Sequence, residues 1–470
     1  EEGLTFKEIE EKIFRMVCEW GQSFARDFLE KYDEFLMKNR DKEAYRNKGL
    51  RETTIKTVFG EVNYSRRVYE TIRDDGLKEF VYLLDEQLHI PGVGLISQNL
   101  ADQLVAGITE MSYRETATKV TEMTGQRISA MGVWKVIQTL GEKVCEEEAN
   151  LVKAHKAGNV QGDIITPVLF EETDGVYVNL QREKQDMAEI KVGIAYDGWK
   201  QTGKDRYELA EKNVVCGIES SKEFAKRKEA MIAKIYNTDE IEMRIFNSDG
   251  GSWIRTLYEN NDSICHQLDL FHVNKAIKGV GIGKDFEYTV FNYLKTMQID
   301  EMLTYMETVM NSIEEDEEIA KVLELYRYLS NNRDSLIPYQ NRGIELPELN
   351  EGLVYRRMGN AEHNVYLTVA KRMKHRSAAW SEEGSLNLCK IVCLKVSHKL
   401  SETLETISNI VLPENFRERV TDILSAGRVP KKVGKGYLGK ICSMPYSNAS
   451  MTDSRRSLIK WLKGTETMNF

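Results

Sequence analysis

Pro167-Val168-Leu169-Phe170-Glu171-Glu172-Thr173-Asp174-Gly175-Val176-Tyr177-Val178-Asn179-Leu180 is the stretch on which the fold turns. Pro167 to Phe170, running on into Gly175 to Leu180, reads as a strand hinged at Asp174-Gly175. Downstream, Lys191 to Ala195 and Asn213 to Ile218 are further apolar strands. Ser220 begins a helix that runs through Ile235, and Met243 to Phe246 forms a fourth strand. A helix is expected after Gly250, and Ser263 to Leu268 is a fifth strand leading into a helix around Asn274 and Ile277. Three strands, a helix, a strand, a helix and a strand make an α/β unit.

Upstream the period changes twice. Ile9, Ile13, Met16, Val17, Trp20, Phe24 and Phe28 recur at helical spacing in an amphipathic segment covering residues 5–45, which reads as a packing or oligomer face. Thr54 to Phe59 and Val62 to Arg66 are short β-rich runs meeting at Gly60, a hairpin, with Phe80 to Leu84 as a third strand. Arg66, Arg67 and Arg73 on such a hairpin would read a DNA backbone, although ordinary surface arginines explain them equally well. Tyr113 to Met123 is a short helix, Thr124-Gly125-Gln126 breaks it, and Ser129 caps a second helix to Leu140. Helix, glycine turn, helix is the helix-turn-helix layout, in which Lys135 and Gln138 would face a groove.

Beyond the α/β unit, residues 285–335 are helical and acidic, and Asp334 to Pro347 breaks them with two prolines. A helix then starts near Ala361 and runs to about His375, and another spans Ser385 to Leu400. The all-helical block therefore interrupts the α/β unit before its last helices. The parts are residues 1–50, an amphipathic helix; 51–95, a small hairpin sheet; 96–155, the helix-turn-helix; 160–284, the first part of the core; 285–350, the insertion; 351–410, the last core helices; and 411–470, a basic arm.

Length and composition agree. A chain of 470 residues exceeds one ordinary core. With 41% hydrophobic and 30% charged residues it has the balance of a soluble globular protein. No apolar run approaches the roughly 20 residues that span a bilayer, so no membrane partner is expected. The chain begins at Glu1 rather than Met, and a native start upstream is expected. The 7 cysteines are scattered without a CxxC, which fits a reducing cytoplasm better than a disulfide framework; Cys389 and Cys393, one helical turn apart, read as a structural thiol pair.

The net charge of −9 argues against nucleic acid only until its distribution is followed. Acids crowd Asp300 to Glu318. Arg356, Arg357, Lys371, Arg372, Lys374 and Arg376 surround Glu362, and Arg428, Lys431, Lys432, Lys435 and Lys440 lead a second basic cluster in the tail. One such cluster is as well explained by solvated helix faces; two flanking a single candidate acid favour phosphate binding.

Asp174 and Asp249 are acids at strand ends, each before glycine, where a side chain projects into a cleft from rigid backbone. Glu362 opens a helix beside polar Asn360, His363 and Asn364. Singly each has a dull explanation, because Asp-Gly is a common turn (Asp197-Gly198 is one) and a helix-start glutamate serves the dipole. Together, two strand acids and one helix acid suit a pair of magnesium ions, hard cations that take oxygen ligands.

The runs Phe170 to Val176, Asn247-Ser248-Asp249-Gly250, Gln267 to Lys275, Gly359 to Asn364 and Lys371 to Arg376, with Tyr45 to Gly49 and Phe59 to Val62, resemble the ISLre-type insertion-sequence transposases over nearly the whole chain. That family is in turn similar to the Mutator-like group. The resemblance implies an α+β multidomain protein whose RNase H-like core is interrupted by an all-helical insertion before its last acid. It implies Asp174, Asp249 and Glu362 as a catalytic triad holding two Mg²⁺ or Mn²⁺ ions, and Asp269 and His272 as the Asp/Cys-x-x-His pair beside them. A strand-end turn with a capping Asp is the bland reading of that pair. His363 stands where the family pattern has a small residue.

The expectation is therefore a bacterial DNA transposase that cuts at element ends and joins them to target DNA, acting on double-stranded DNA as a homodimer or larger assembly at the nucleoid. The rivals are a nuclease of the same fold without strand transfer, and an inert DNA-binding descendant. Zinc hydrolysis is poorly supported, since His266 and His272 lack a convincing ligand set.

Overall fold

The computed structural model describes residues 5–73, 75–90, 94–251, 264–374 and 378–403. It is a mixed α+β protein whose contacts fall into two compact units. The described residues of the first lie in 5–101 and 120–127, and those of the second in 102–119 and 128–403.

In the first unit, helix α1 (Phe6–Asn39) opens with a capping box in which Thr5 and Glu8 satisfy each other's backbone N–H. Strands β1 (Arg46–Thr57) and β2 (Gly60–Ile72) pair antiparallel and turn at Gly60, whose φ of 118° favours glycine. Strand β3 (Lys78–Val81) extends the sheet, and the chain is already helical at Leu83 in α2 (Leu83–Leu88), so the expected third strand at Phe80 to Leu84 is shifted toward the N-terminus. A two-stranded ladder, β4 (His89–Ile90) and β5 (Gly94–Leu95), follows. Leu29 and Tyr32 of α1 pack on Ile55, Val62 and Tyr64 of the sheet.

Arg66 and Arg67 are neither the phosphate readers nor the ordinary surface arginines that the sequence left open, whereas Arg73 is exposed beside Asp75. Arg66 is buried, pairs with Asp85 and stacks its guanidinium 3.8 Å from the Tyr82 ring centre. Arg67 pairs with Asp33 of α1, whose carboxylate also takes the Arg67 backbone N–H. Both cations are consumed in holding the first unit together.

Helices α3 (Gln98–Glu110) and α4 (Tyr113–Met123) carry the chain between the units. Helix α5 (Ala130–Lys156) starts where expected, with the Ser129 hydroxyl accepting the Gly132 N–H, but continues well past Leu140. Its buried Val133, Val136, Ile137, Leu140 and Val144 make it a core helix of the second unit. Gln138 is corrected accordingly. It lies on that buried face and accepts a hydrogen bond from Asn387, so it cannot enter a groove, whereas Lys135 is exposed.

The second unit is built on a five-stranded sheet in the order β10-β7-β6-β11-β12, formed by β6 (Val168–Asn179), β7 (Met187–Tyr196), β10 (Asn213–Gly217), β11 (Met243–Ser248) and β12 (Ile264–Leu268). β7 runs antiparallel to β6 and β10, while β6, β11 and β12 are parallel. A separate small sheet joins β8 (Trp199–Gly203), β9 (Arg206–Leu209) and β13 (Leu353–Val354), none of which the sequence pattern announced. Helix α6 (Ser221–Ile235) is capped by Ser220, as read from sequence.

After β12 come α7 (Leu270–Val280), α8 (Lys284–Thr296), α9 (Ile299–Ser312) and α10 (Asp316–Asn331). They share one apolar core that includes Ile277, Val290, Met302, Met306, Val322 and Leu329. Each such side chain contributes about 1.5–3 kcal/mol on burial, and this shared core packs the four helices together. The chain then returns through α11 (Ala361–Val365), a π-helical stretch at Tyr366–Ala370, α12 (Lys371–Met373) and α13 (Glu382–Val396), which packs on α5 and β10. No helix among the described residues is long and apolar enough to cross a membrane.

Candidate metal centre

Strand β6 is central in the sheet, and Val168 to Asp174 are all buried. Alternation along the strand sends neighbouring acids to opposite faces. Glu171 points to the α6 face and pairs with Lys228 and Arg244, both at 2.6 Å. Burial opposes its charge, yet Arg244 and Lys228 hold its pKa down at about 2. Glu172 and Asp174 share the other face.

Asp174 corrects a detail of the sequence reading. It lies inside β6, opposite Val192 of β7, rather than at the strand's end. What ends there is the parallel pairing with β11, whose last pair is Ser248 and Thr173. The next residues along the two parallel strands are Asp249 and Asp174. The acid is therefore released on its β11 side and remains rigidly held on its β7 side.

The third acid arrives through Glu172. Its carboxylate is fully buried and accepts the backbone N–H groups of Gly359 (3.1 Å), Asn360 (2.8 Å) and Ala361 (3.0 Å). Asn360 Nδ2, Tyr196 Oη and Asn247 Nδ2 also donate to it. The N-terminus of α11 is thus seated on a buried carboxyl group, the kind of acceptor that a helix start favours. Burial pushes the Glu172 pKa up, and these donors oppose the shift. Gly359, at φ 128°, makes the turn that lets the consecutive amides converge. Sequence reasoning missed Glu172, because the helix start that it seats lies far along the chain, at residues 359–361.

Glu362 follows directly and is exposed. Its carboxylate, an Asp174 oxygen and a ring nitrogen of His272 all lie within 4.8 Å of one another. His272 comes from the first turn of α7, where Asp269 is the N-cap and accepts the Phe271 N–H. The other Asp269 oxygen faces His272 Nδ1 at 3.3 Å, while Nε2 points at Asp174 Oδ2, 4.0 Å away. A carboxylate behind Nδ1 fixes the ring and leaves Nε2 for a cation or proton, an arrangement common around metal-ligating histidines. The hydrogen bond to Asp269 is the main reason that the His272 pKa is raised.

Asp249 is adjacent but differently engaged. Its Oδ1 accepts the Gly251 N–H at 2.8 Å, and its backbone carbonyl accepts the Tyr328 hydroxyl of α10. The close group thus contains Asp174, Glu362 and His272, with Asp249 beside it at the end of β11. Burial is the chief reason that the Asp174 pKa rises to about 6; His272 and the Gly175 amide oppose the rise, and Asp249 and Glu362 add to it. Among the described residues, His272 is the one side chain that offsets the carboxylates gathered around Asp174, the electrostatic situation that a divalent cation relieves. The oxygen-rich donor set fits Mg²⁺ or Mn²⁺.

His266 has another role. Its ring nitrogens contact Ser248 Oγ at 2.9 Å and Ser335 Oγ at 2.8 Å, so it is tied into the packing between β11, β12 and the end of the insertion.

The basic residues near Glu362 divide. Arg356 is exposed and stacks 3.7 Å from the Tyr207 ring centre, and Arg357 and Lys374 are also exposed. Lys371 pairs with Glu110 at the surface. Arg372 is corrected. It is buried and donates to the Ile108 carbonyl, so it serves packing rather than DNA. Arg376, Lys431 and Lys432 lie outside the described residues.

The family model described as "Uncharacterised protein family (UPF0236)" matches residues 1–405. The chain is also similar to a protein of Streptococcus gallolyticus described as "UPF0236 protein in vanSb 3'region", with 22% identity over 384 residues that cover 80% of each chain.

Proposed function

The chain belongs to the UPF0236 family, and we propose that it is a DNA transposase whose RNase H-like core performs metal-dependent phosphoryl transfer. The observation that carries this reading is the meeting of Asp174 from β6 with Glu362 from α11 and His272 from α7 at the edge where β6 and β11 part. The sheet order β10-β7-β6-β11-β12, with the first two junctions antiparallel and the last two parallel, supports the RNase H-like assignment, as does a helical insertion between the second and third acids.

Asp174 and Glu362 would hold the metal with His272 or Asp249, and two divalent ions would polarise the scissile phosphate and stabilise the charge on the attacking and leaving oxygens. The protein's own residues do the rest. β6 and β11 fix the two aspartates from rigid backbone, Glu172 fixes the start of the helix that bears Glu362, and Asp269 orients the His272 ring. An in-line displacement needs the same arrangement whether the nucleophile is water or a 3′-hydroxyl, so one site can cut an end and then join it.

The test uses the DNA flanking the protein's own gene as labelled substrate, with a supercoiled plasmid as target, in Mg²⁺ or Mn²⁺. Joined products are expected from the wild type and none from Asp174→Ala, Asp249→Ala or Glu362→Ala, with DNA binding retained. Cleavage without joining would replace the reading with a nuclease, and binding without cleavage would replace it with an inert DNA-binding protein.

A further inference from the structure

The site does not end at its acids. A groove of about 570 Å³ opens at Asp249 and His272 and runs between α7 of the core and α10 of the insertion. We propose that this groove takes the sugar-phosphate backbone of one DNA strand immediately beside the reacting phosphodiester, with Lys275 and Lys321 as its phosphate contacts. The proposal rests on the phosphoryl-transfer reading and adds the path of the substrate to it.

Charge complementarity carries the assignment. The acids at the mouth of the groove repel a polyanion, so a strand can approach only where cations line its route. Lys275 lies one helical turn beyond His272 on the same face of α7, and it is exposed. Lys321 faces it from α10. Lys321 also pairs with Glu317 at 2.8 Å, an exposed i,i+4 pair of little energetic weight that a phosphate can displace. Glu324 is the acid among the lysines and sets a boundary that the backbone must avoid.

Shape makes the same case. Ala276, Gly279, Val280 and Leu325 line the groove without polar side-chain atoms. Gly279 is helical, and a Cβ added there would meet nothing within 4 Å. A glycine inside a helix costs about 0.5–1 kcal/mol relative to alanine. Here that cost coincides with open space in the groove's lining. Tyr328, whose hydroxyl bonds the Asp249 carbonyl, joins the groove's wall to the strand that bears the acid, so ligand in the groove is registered to the site.

The experiment measures binding of a fluorescein-labelled duplex of the flanking DNA by anisotropy in Ca²⁺, across a salt series, with the full-length chain. Lys275→Ala and Lys321→Ala should each weaken binding several-fold and lower the salt slope by about one ion. Lys278→Ala, on the same helix but off the groove, should do neither. Gly279→Phe, which fills the groove without adding charge, should weaken binding at least tenfold while the melting temperature holds. Parallel behaviour of Lys275→Ala, Lys321→Ala and Lys278→Ala overturns the proposal, as does a wild type that fails to bind. Metal-dependent cleavage by the same proteins is scored separately. Cutting without lysine dependence removes the groove and keeps the phosphoryl-transfer reading, whereas lysine-dependent binding without cutting does the reverse.

Discussion

The Glu172 carboxylate accepts the Ala361 backbone N–H at 3.0 Å, and this contact ties the strand that bears Asp174 to the helix that bears Glu362. Two residues apart on one face of β6, Glu172 and Asp174 divide the work: one seats the helix, the other meets the acid that the helix delivers. Glu172→Ala would leave the amides of Gly359, Asn360 and Ala361 and the buried Tyr196 hydroxyl without their acceptor. A loss of about 3 kcal/mol or more is expected by urea unfolding. Glu172→Gln keeps the volume but presents an amide N–H₂ to donors, and should cost about 1–3 kcal/mol. A Glu172→Ala protein within about 0.5 kcal/mol of wild type would show that the helix start is held by other contacts.

Asp174 makes the folded protein pH-sensitive in a stated direction. Burial is the main reason its carboxyl is pushed from 3.8 to about 6. Between those values the folded state holds the proton that the unfolded chain has released, so stability falls as pH rises and the full penalty is present above pH 6. In EDTA at pH 7.5, Asp174→Asn should therefore be more stable than wild type, by about 1–3 kcal/mol. Saturating Mn²⁺ should shift the comparison back toward wild type, because a ligand that binds only the folded state stabilises it. An Asp174→Asn protein less stable than wild type in EDTA contradicts the reading that burial of this carboxylate costs the metal-free protein stability.

Asp269 acts through His272. Removing its charge with Asp269→Asn loosens the ring's orientation and lowers the basicity of Nε2. A roughly 10–100-fold loss of Mn²⁺ affinity is expected, with little change in the unfolding midpoint. Unchanged Mn²⁺ affinity would leave Asp269 only as the cap of α7.

Arg67 tests the corrected reading of the hairpin. Its carboxylate partner, Asp33, has a side chain only 1% exposed. Arg67→Ala should destabilise the protein by about 3 kcal/mol, because it removes the guanidinium from a buried carboxylate and leaves it only the backbone N–H of residue 67. DNA affinity of the folded protein should be unchanged, and a selective loss of affinity at full stability would restore Arg67 as a phosphate contact.

The sequence carried the sheet well, because β6, β7, β10, β11 and β12 are apolar runs bounded by turn residues, and caps such as Ser129 and Ser220 are local signals. Asp249 and Glu362 were legible for the same reason, since each sits at an identifiable boundary of an element, whereas Asp174 stood out only by its Asp-Gly pair and lies inside β6. The sequence lost the short sheet of β8, β9 and β13, whose central strand is polar and exposed after Trp199 and whose outer strands span only four and two residues. Gln138, Arg66, Arg67 and Arg372 looked like surface polar groups, and only distant partners such as Asn387, Asp85, Asp33 and the Ile108 carbonyl reveal them as structural. Glu172 was hidden for the same physical reason: a buried acid is recognisable only by its donors, and most of these arrive from residues 359–361.

Direct Mn²⁺ binding, followed by electron paramagnetic resonance on the full chain without DNA, tests the central claim with least intervening machinery. Wild type should bind Mn²⁺, Asp174→Ala and Glu362→Ala should each lose it, and Lys278→Ala should keep it. Equal binding by wild type, Asp174→Ala and Glu362→Ala would mean that the meeting of these side chains holds no metal, and the proposed chemistry would fall with it.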